Sequence, residues 1–491
     1  MTDSVPATRI RRRSSRIAPS NGEESFFQVP QGIKELRDSL HNDKVSYVPP
    51  WTEPYIIGVA GPSGSGKTSV ASKIIKEINT PWTVLLSLDN FYKPLTPEQS
   101  KLAFQNKWDF DTPESIDLDL VYKCVKSLKE GRKTQIPVYS FAKHSRVEDQ
   151  TITIYGANVI IVEGIYGLYH KGLNDLMQMK IYVDTDLDIC LARRLNRDIL
   201  YRGRDLEGAL QQWSTFVKPN AERFVKPCMK NANLIVPKGS ENVIAIDMLI
   251  KHIKKQLYLK SEAHLKHIDQ LTDVLDLQND KLTILPRTNQ THGIYTILLN
   301  KQTKRDDFIF YFDRIATTLI NKALEFLDFQ NVEIETPLNI KFNTKEPSQP
   351  VVAVNIIRSG DCFMHSLRKT LPEIAIGKLL IQSDITTGEP QLHSDTLPPK
   401  IASNNTRVLL LDAQIISGAA IIMAIQVLVD HGVDPGNITV VSYLATETGL
   451  SRILKAFKKV NVVVGEVGFR DKIQSETWFR KRFIDTDYFG T

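Results

Sequence analysis

The chain has 491 residues, more than one ordinary core accommodates, so two domains are expected. Hydrophobic residues at 42% and charged residues at 24% are the proportions of a globular protein with sizeable cores, which excludes a largely disordered or fibrous chain. A net charge of +6 is too mild at this length to argue for nucleic acid, and it fits an enzyme that handles polyanions.

Residues 1–50 carry little periodic pattern. Arg9, Arg11, Arg12, Arg13 and Arg16 surround Ser14 and Ser15, and Gly, Ser, Asn and Pro follow. This stretch reads as a mobile basic tail, either a solvated linker or a regulated segment with a basophilic phosphorylation site or a nuclear-import signal. No apolar run follows it, so it is not a secretory signal. No run anywhere approaches the roughly 20 apolar residues of a membrane span. Cys124, Cys190, Cys228 and Cys362 are scattered without metal-ligand spacing and read as reduced thiols. The expectation is a soluble cytoplasmic protein, with the nucleus as a second location, and no membrane or nucleic-acid partner.

Over 51–259 short apolar runs alternate with amphipathic ones. Strands are predicted at 55–60, 84–88, 158–162, 180–183 and 233–236, with helical patterns between them. That alternation gives an α/β fold with a parallel sheet. Residues 260–290 are polar and read as a linker or connecting helix. A second α/β pattern fills 291–491, with strands at 351–357, 377–383, 407–411, 438–443 and 460–464.

Gly61-Pro62-Ser63-Gly64-Ser65-Gly66-Lys67-Thr68 matches the G-x-x-x-x-G-K-[ST] pattern between a predicted strand and a predicted helix at 69–78. Its glycines let backbone N–H groups face phosphates, Lys67 adds a cation, and the Thr68 hydroxyl suits Mg²⁺. Asp89, in Ser87-Leu88-Asp89-Asn90-Phe91-Tyr92, follows the second strand. It is placed to accept a proton from an attacking hydroxyl at the ligand edge of the sheet. Glu163 ends the apolar run 159–162 and is the expected carboxylate on the Mg²⁺ side. Arg193, Arg194, Arg197, Arg202 and Arg204 fall within twelve residues, with Asp198 and Asp205 as the nearby acids. Such a cluster can close over a transferring phosphoryl group.

These residues resemble the uridine–cytidine kinase family of P-loop phosphotransferases over 54–258. The likeness extends through Phe110-Asp111-Thr112-Pro113, Ile136-Pro137-Val138-Tyr139-Ser140-Phe141, His144-Ser145-Arg146, Val162-Glu163-Gly164-Ile165, Arg202-Gly203-Arg204-Asp205 and Thr215-Phe216-Val217-Lys218-Pro219. The resemblance implies ATP- and Mg²⁺-dependent phosphorylation of uridine and cytidine at the ribose 5′-hydroxyl, in pyrimidine salvage. It implies Asp89 as general base, with Lys67, Arg197 and Arg202 completing the catalytic set. ATP would lie on Gly61 to Thr68 and Arg204. Asp111, with Arg194 and Gln212, would hold the ribose. Tyr92, Phe110, Tyr139, Phe141 and His144 would form the base wall, and Thr68 and Glu163 the metal side. The family also implies a homo-oligomer and feedback inhibition by UTP and CTP.

Residues 291–491 resemble uracil phosphoribosyltransferases of the type I fold, through Ile356-Ile357-Arg358-Ser359-Gly360, Asp412 with Ser417-Gly418, and the ending Tyr488-Phe489-Gly490-Thr491. The family's pattern is broken twice. Ala419 and Ala420 stand where Gly and then Thr or Ser are usual. Arg482-Phe483-Ile484-Asp485-Thr486-Asp487 replaces a glycine-containing uracil loop. A non-catalytic domain is expected. The alternatives are a bifunctional kinase and uracil phosphoribosyltransferase, and a non-catalytic pyrimidine-sensing scaffold.

Overall fold

The computed structural model describes residues 47–140, 143–202, 205–384, 387–399, 401–402, 405–468 and 483–490. The basic tail with Ser14 and Ser15, Phe141, the Arg202 side chain, Arg204, Arg482 and Thr491 lie outside the described residues. The chain divides into two compact units, one over Pro50–Leu257 and one over Tyr258–Thr491, the second also taking in residues 47–49.

In the first unit, β1 (Tyr55–Ala60), β2 (Thr83–Ser87), β5 (Val159–Glu163), β6 (Met179–Asp184) and β7 (Leu234–Pro237) form a parallel sheet in the order β2-β5-β1-β6-β7. The central strands read as unbroken apolar runs because both faces are covered. Ile56, Leu86, Ile160 and Val162 meet Val121, Val125 and Leu128 on one side. Ile57, Val59, Ile161 and Val183 meet Val70, Ile74, Ile250 and Ile253 on the other. A separate antiparallel hairpin, β3 (Thr134–Ser140) and β4 (Ser145–Ile154), stands apart from the sheet. The predicted strand at 84–88 ends at Ser87, because Leu88 opens the 3₁₀ turn Leu88–Phe91.

The second unit holds β8 (Leu282–Ile284), the hairpin β9 (Phe329–Glu335) with β10 (Lys341–Pro347), and β11 (Val351–Ile357), β12 (Ala375–Ser383), β13 (Pro390–Thr396), β14 (Arg407–Leu411), β15 (Gln414–Ile415), β16 (Ile438–Ala445) and β17 (Asn461–Val467). The main sheet runs β13-β12-β11-β14-β16-β17-β8, with β15 alongside β16. Its core joins Phe312, Ile315 and Leu319 to Leu409, Leu411, Val441, Val463 and Ile484.

The reading of 260–290 as a linker or connecting helix is corrected in part. The helix Val243–Gln270 runs through its start, and β8 then pairs in parallel with β17, Val464 opposite Ile284. Three residues are too few to show a period, and β8 is a strand because β17 offers it an edge. All four cysteines are free and buried. Burial pushes the thiols of Cys124, Cys190 and Cys228 up to about 11, which makes them poor nucleophiles. No helix of the described residues is long and apolar enough to cross a membrane.

Candidate active site

The loop 61–66 leaves β1 and enters the helix Lys67–Ile78, whose first turn contains no acid. Gly64 has φ 86°, and a Cβ there would strike the carbonyl oxygen of Cys190. Gly66, the residue before the helix, has φ 89°. Side chains thus give way to backbone N–H groups at the positive end of a helix, an arrangement that attracts phosphate. The loop is braced from behind by the Thr185 hydroxyl, which donates to the Ser65 carbonyl at 3.0 Å. Arg193 donates to the same carbonyl at 3.4 Å and pairs with Glu241. Its partner acid therefore lies far along the chain, beyond Asp198 and Asp205, the acids apparent from sequence.

Strand register sets the next layer. Glu163 is aligned with Val59 of β1 and with Ser87 of β2. The chain continues from those two neighbours to Gly61 and Asp89, so three loops start at one sheet edge. The Lys67 ammonium lies 3.7 Å from the Glu163 carboxylate. Burial pushes the Glu163 carboxyl above its usual range and Asp89 adds to this, while Lys67 and a hydrogen bond from Thr68 oppose it. Asp89 sits in the turn Leu88–Phe91 with its N–H donated to Ser87 Oγ at 3.3 Å.

Further out, Arg194 joins both ends of the cleft. It donates to Ser63 Oγ at 2.9 Å and approaches Asp111 at 3.8 Å and the fully buried Asp198 at 3.5 Å. Asp111 is held through its backbone. Its N–H donates to Asp109 at 2.9 Å, its carbonyl accepts from Tyr166, and Asp109 is clamped by Asn220 at 2.8 and 3.0 Å. Gln212 donates to Asn106 at 3.0 Å. The aromatic wall is continuous. Phe110 stacks on His144 at 5.2 Å, and Tyr92 meets Tyr139 at 5.2 Å and Phe110 edge-on at 6.0 Å. Burial, followed by the Asp89 charge, pushes Tyr139 up to about 12, so its phenol is neutral at physiological pH.

One cleft of about 680 Å³, counting its open mouth, gathers Ser63, Lys67, Asp89, Tyr92, Phe110, Asp111, Tyr139, His144, Arg194, Arg197 and Gln212. Gly61, Pro62, Gly64, Ser65 and Gly66 make the adjoining loop, Thr68 lies in the first turn of the helix it enters, and Glu163 ends β5. Arg197 also pairs with Asp198 at 2.9 Å. Trp108, Ile165 and Phe216 line the cleft too, without a role assigned from sequence. The alternation Trp108-Asp109-Phe110-Asp111 is a signal that points to Trp108. Nothing local points to the Asp109–Asn220 clamp, whose partners are 111 residues apart. Among the described residues no group of three or more His, Cys, Asp or Glu side chains could hold a metal. The Thr68 hydroxyl and Glu163 carboxylate are hard oxygen donors. They suit a cation bound chiefly through a nucleotide's phosphates rather than in a protein cage.

The equivalent edge of the second unit is tied up internally. The Ser359 hydroxyl donates to Asp412, and Asn355 donates to Asp361, which also faces Lys378 at 3.6 Å. Gly418, at φ 76°, enters the helix Ala419–Asp430, so Ala419 and Ala420 occupy its first turn. Residues Phe483–Asp487 form a short helix with Ile484 buried in the core, followed by Tyr488, whose carbonyl accepts from Arg305 at 3.2 Å.

Residues 56–245 match the model of the phosphoribulokinase / uridine kinase family, and 285–473 match that of uracil phosphoribosyltransferase. A uridine kinase of Saccharomyces cerevisiae is 54% identical, over 97% of this chain and 99% of its own length. A uridine kinase of Schizosaccharomyces pombe is 42% identical, over 86% and 93%. A uridine-cytidine kinase-like 1 protein of Mus musculus is 41% identical, over 89% and 80%.

Proposed function

We propose that Lys67 and Asp89 are the donor and acceptor ends of one phosphoryl transfer: the chain belongs to the phosphoribulokinase / uridine kinase family, and its reaction is phosphorylation of uridine, and of cytidine with it, at the ribose 5′-hydroxyl by ATP. The observation that carries this reading is the single cleft running from Lys67 past Asp89 to Asp111 and the Tyr139–His144 wall.

The ATP phosphates rest on the backbone N–H groups of Ser63, Gly64, Ser65 and Gly66 and on Lys67, with Gly61 and Pro62 shaping the loop. Asp89 accepts the proton of the 5′-hydroxyl as its oxygen attacks the terminal phosphorus. ADP is the leaving group, and the product is the nucleoside monophosphate. Asp111 accepts hydrogen bonds from the ribose cis-diol, oriented by Asp109 and Arg194, with Gln212 beside it. The aromatic slot, with Phe141 beyond Tyr139, takes the flat pyrimidine. Arg197, Arg202 and Arg204 neutralise charge on the transferring group. Mg²⁺, held by Thr68 and Glu163 with the nucleotide, would supply charge neutralisation at the phosphates.

The reaction serves pyrimidine salvage. UTP and CTP, which share the pyrimidine and ribose of the substrates and the triphosphate of the donor, are the natural feedback inhibitors. The second unit is a non-catalytic phosphoribosyltransferase-like domain that supports assembly of a homo-oligomer. A steady-state assay with ATP, Mg²⁺ and a panel of nucleosides and bases tests the whole reading. ADP formation should depend on uridine or cytidine. Its absence with both, or UMP formed from uracil and phosphoribosyl diphosphate, would overturn it.

A further inference from the structure

We infer that Arg146 is a positioning residue that ties the nucleobase wall to the turn carrying Asp89, and so fixes the span across which a nucleoside is held. The inference rests on the assignment of Asp89 and of the aromatic wall to the nucleoside.

The hairpin β3–β4 supplies Tyr139 and His144 to the cleft, yet it forms no ladder with the five-stranded sheet that carries Asp89. A lone two-stranded hairpin is marginal in water and takes its place from side-chain attachments. Arg146 stands directly across the hairpin from Tyr139. Its guanidinium leaves the hairpin and donates to the carbonyl of Tyr92 at 2.9 Å and to that of Phe91 at 3.4 Å, and it meets the Asp117 carboxylate at 3.5 Å. Phe91 ends the turn that begins at Leu88 and contains Asp89.

The same Phe91 carbonyl is also held by Asp117, whose N–H donates to it at 2.9 Å. The Asp117 carboxylate also caps the helix Leu118–Lys129 through Leu120 N at 3.0 Å. Arg146 thus closes a loop of contacts running from the base wall to the Asp89 turn, to a fixed helix end and back. Its planar fork spreads donors in fixed directions over three acceptors, a geometry that the compact, rotating ammonium of a lysine does not reproduce. A nucleoside bridges this frame, with its base at the hairpin and its 5′-hydroxyl at Asp89. A frame that slackens by even an ångström costs reaction geometry, on the order of 10²-fold in favourable cases. The phosphate loop is attached elsewhere, so ATP binding does not depend on Arg146.

The test is steady-state kinetics and thermal melting on the full-length chain as Arg146→Lys and Arg146→Ala, with Asp89→Asn alongside. In Arg146→Lys, kcat/KM for uridine should fall roughly 10- to 100-fold, while KM for ATP and the melting temperature stay near wild type. Guanidinium ion added to Arg146→Ala should restore part of the loss. An Arg146→Lys chain with wild-type uridine kinetics would overturn the inference. So would a rise in KM for ATP that matches the rise for uridine, or a loss that follows a fall in melting temperature. Asp89→Asn separates the two readings. If it turns over normally, the assignment of the cleft fails. If it is inactive while Arg146→Lys is normal, the assignment stands and the role of Arg146 alone is wrong.

Discussion

Both units place loops at the C-terminal ends of parallel strands, where α/β proteins bind ligands. The first unit leaves its edge turned towards a cleft, with Lys67 against Glu163 and Asp89 lining the cavity. The second folds its edge in on itself. Asp412, which follows β14 as Leu88 and Asp89 follow β2, accepts from Ser359, and Asp361 takes Asn355 and Lys378. The cores under the two edges are equally apolar: Ile160 and Val162 in one, Leu409 and Leu411 in the other, are all about fully buried. A sheet core therefore says little about activity, and the residues just past the strand ends decide it.

The sharpest break in this comparison is Asp89→Asn. The amide keeps the shape and loses the basicity, so turnover should fall by at least roughly 10²-fold while ATP still binds. Near-normal turnover of the purified variant would take Asp89 out of the mechanism. Next come Lys67→Ala and Asp111→Ala. In the proposed roles each removes a charged partner of one substrate, a loss of roughly 10- to 100-fold. Lys67→Ala should impair ATP use whichever nucleoside is offered, and Asp111→Ala should raise KM for the nucleoside. Identical defects in both would show that donor and acceptor ends are not divided in this way.

How much of this is legible in sequence follows from how local each feature is. The sheet strands 55–60, 351–357 and 407–411 coincide with β1, β11 and β14, because strands buried on both faces are continuous apolar runs. The phosphate loop is a contiguous motif, and Asp89 and Glu163 are acids at strand ends. The hairpins escape this reading. β3 carries Pro137 between Ile136 and Val138, and a proline inside an apolar run argues against a strand, while β9–β10 is largely exposed along both strands and shows no buried pattern. Strand β8 is defined only by its neighbour. Within the site, the Arg194–Ser63 bond spans 131 residues and the Arg193–Glu241 pair 48, separations at which a single sequence carries no signal.

A smaller effect concerns Glu163 in the nucleotide-free chain. Its folded pKa is raised above the ordinary 4.5, chiefly by burial. Its contribution to stability is therefore complete below the unfolded value and is lost as pH rises through the folded one. Glutamine is uncharged throughout. The melting temperature of Glu163→Gln relative to wild type should climb as pH rises from acid to neutral. A difference that stays flat with pH would mean that Lys67 fully compensates the buried carboxylate. The same variant should lose turnover in Mg²⁺ and ATP.

The smallest expected effect is the counterpart of the largest. Asp412→Asn makes the same chemical change as Asp89→Asn, at the end of a comparable buried strand. The kinase cleft is lined wholly by residues between Ser63 and Phe216, and Asp412 is not among them. Uridine phosphorylation should therefore stay within about twofold of wild type, the scale on which separate sites act independently. The structural cost falls on the second unit, where an amide replaces the carboxylate that accepts from Ser359. The amide oxygen can still accept, so this cost stays below the roughly 1–3 kcal/mol of a stranded buried hydroxyl. If Asp412→Asn lowered kcat for uridine as strongly as Asp89→Asn, the second edge would take part in the kinase reaction. If the wild-type chain formed UMP from uracil and phosphoribosyl diphosphate and Asp412→Asn abolished it, the second unit would be an active transferase. Indifference of the kinase to Asp412→Asn, with no UMP from uracil in either chain, is the outcome that a closed, internally bonded edge requires.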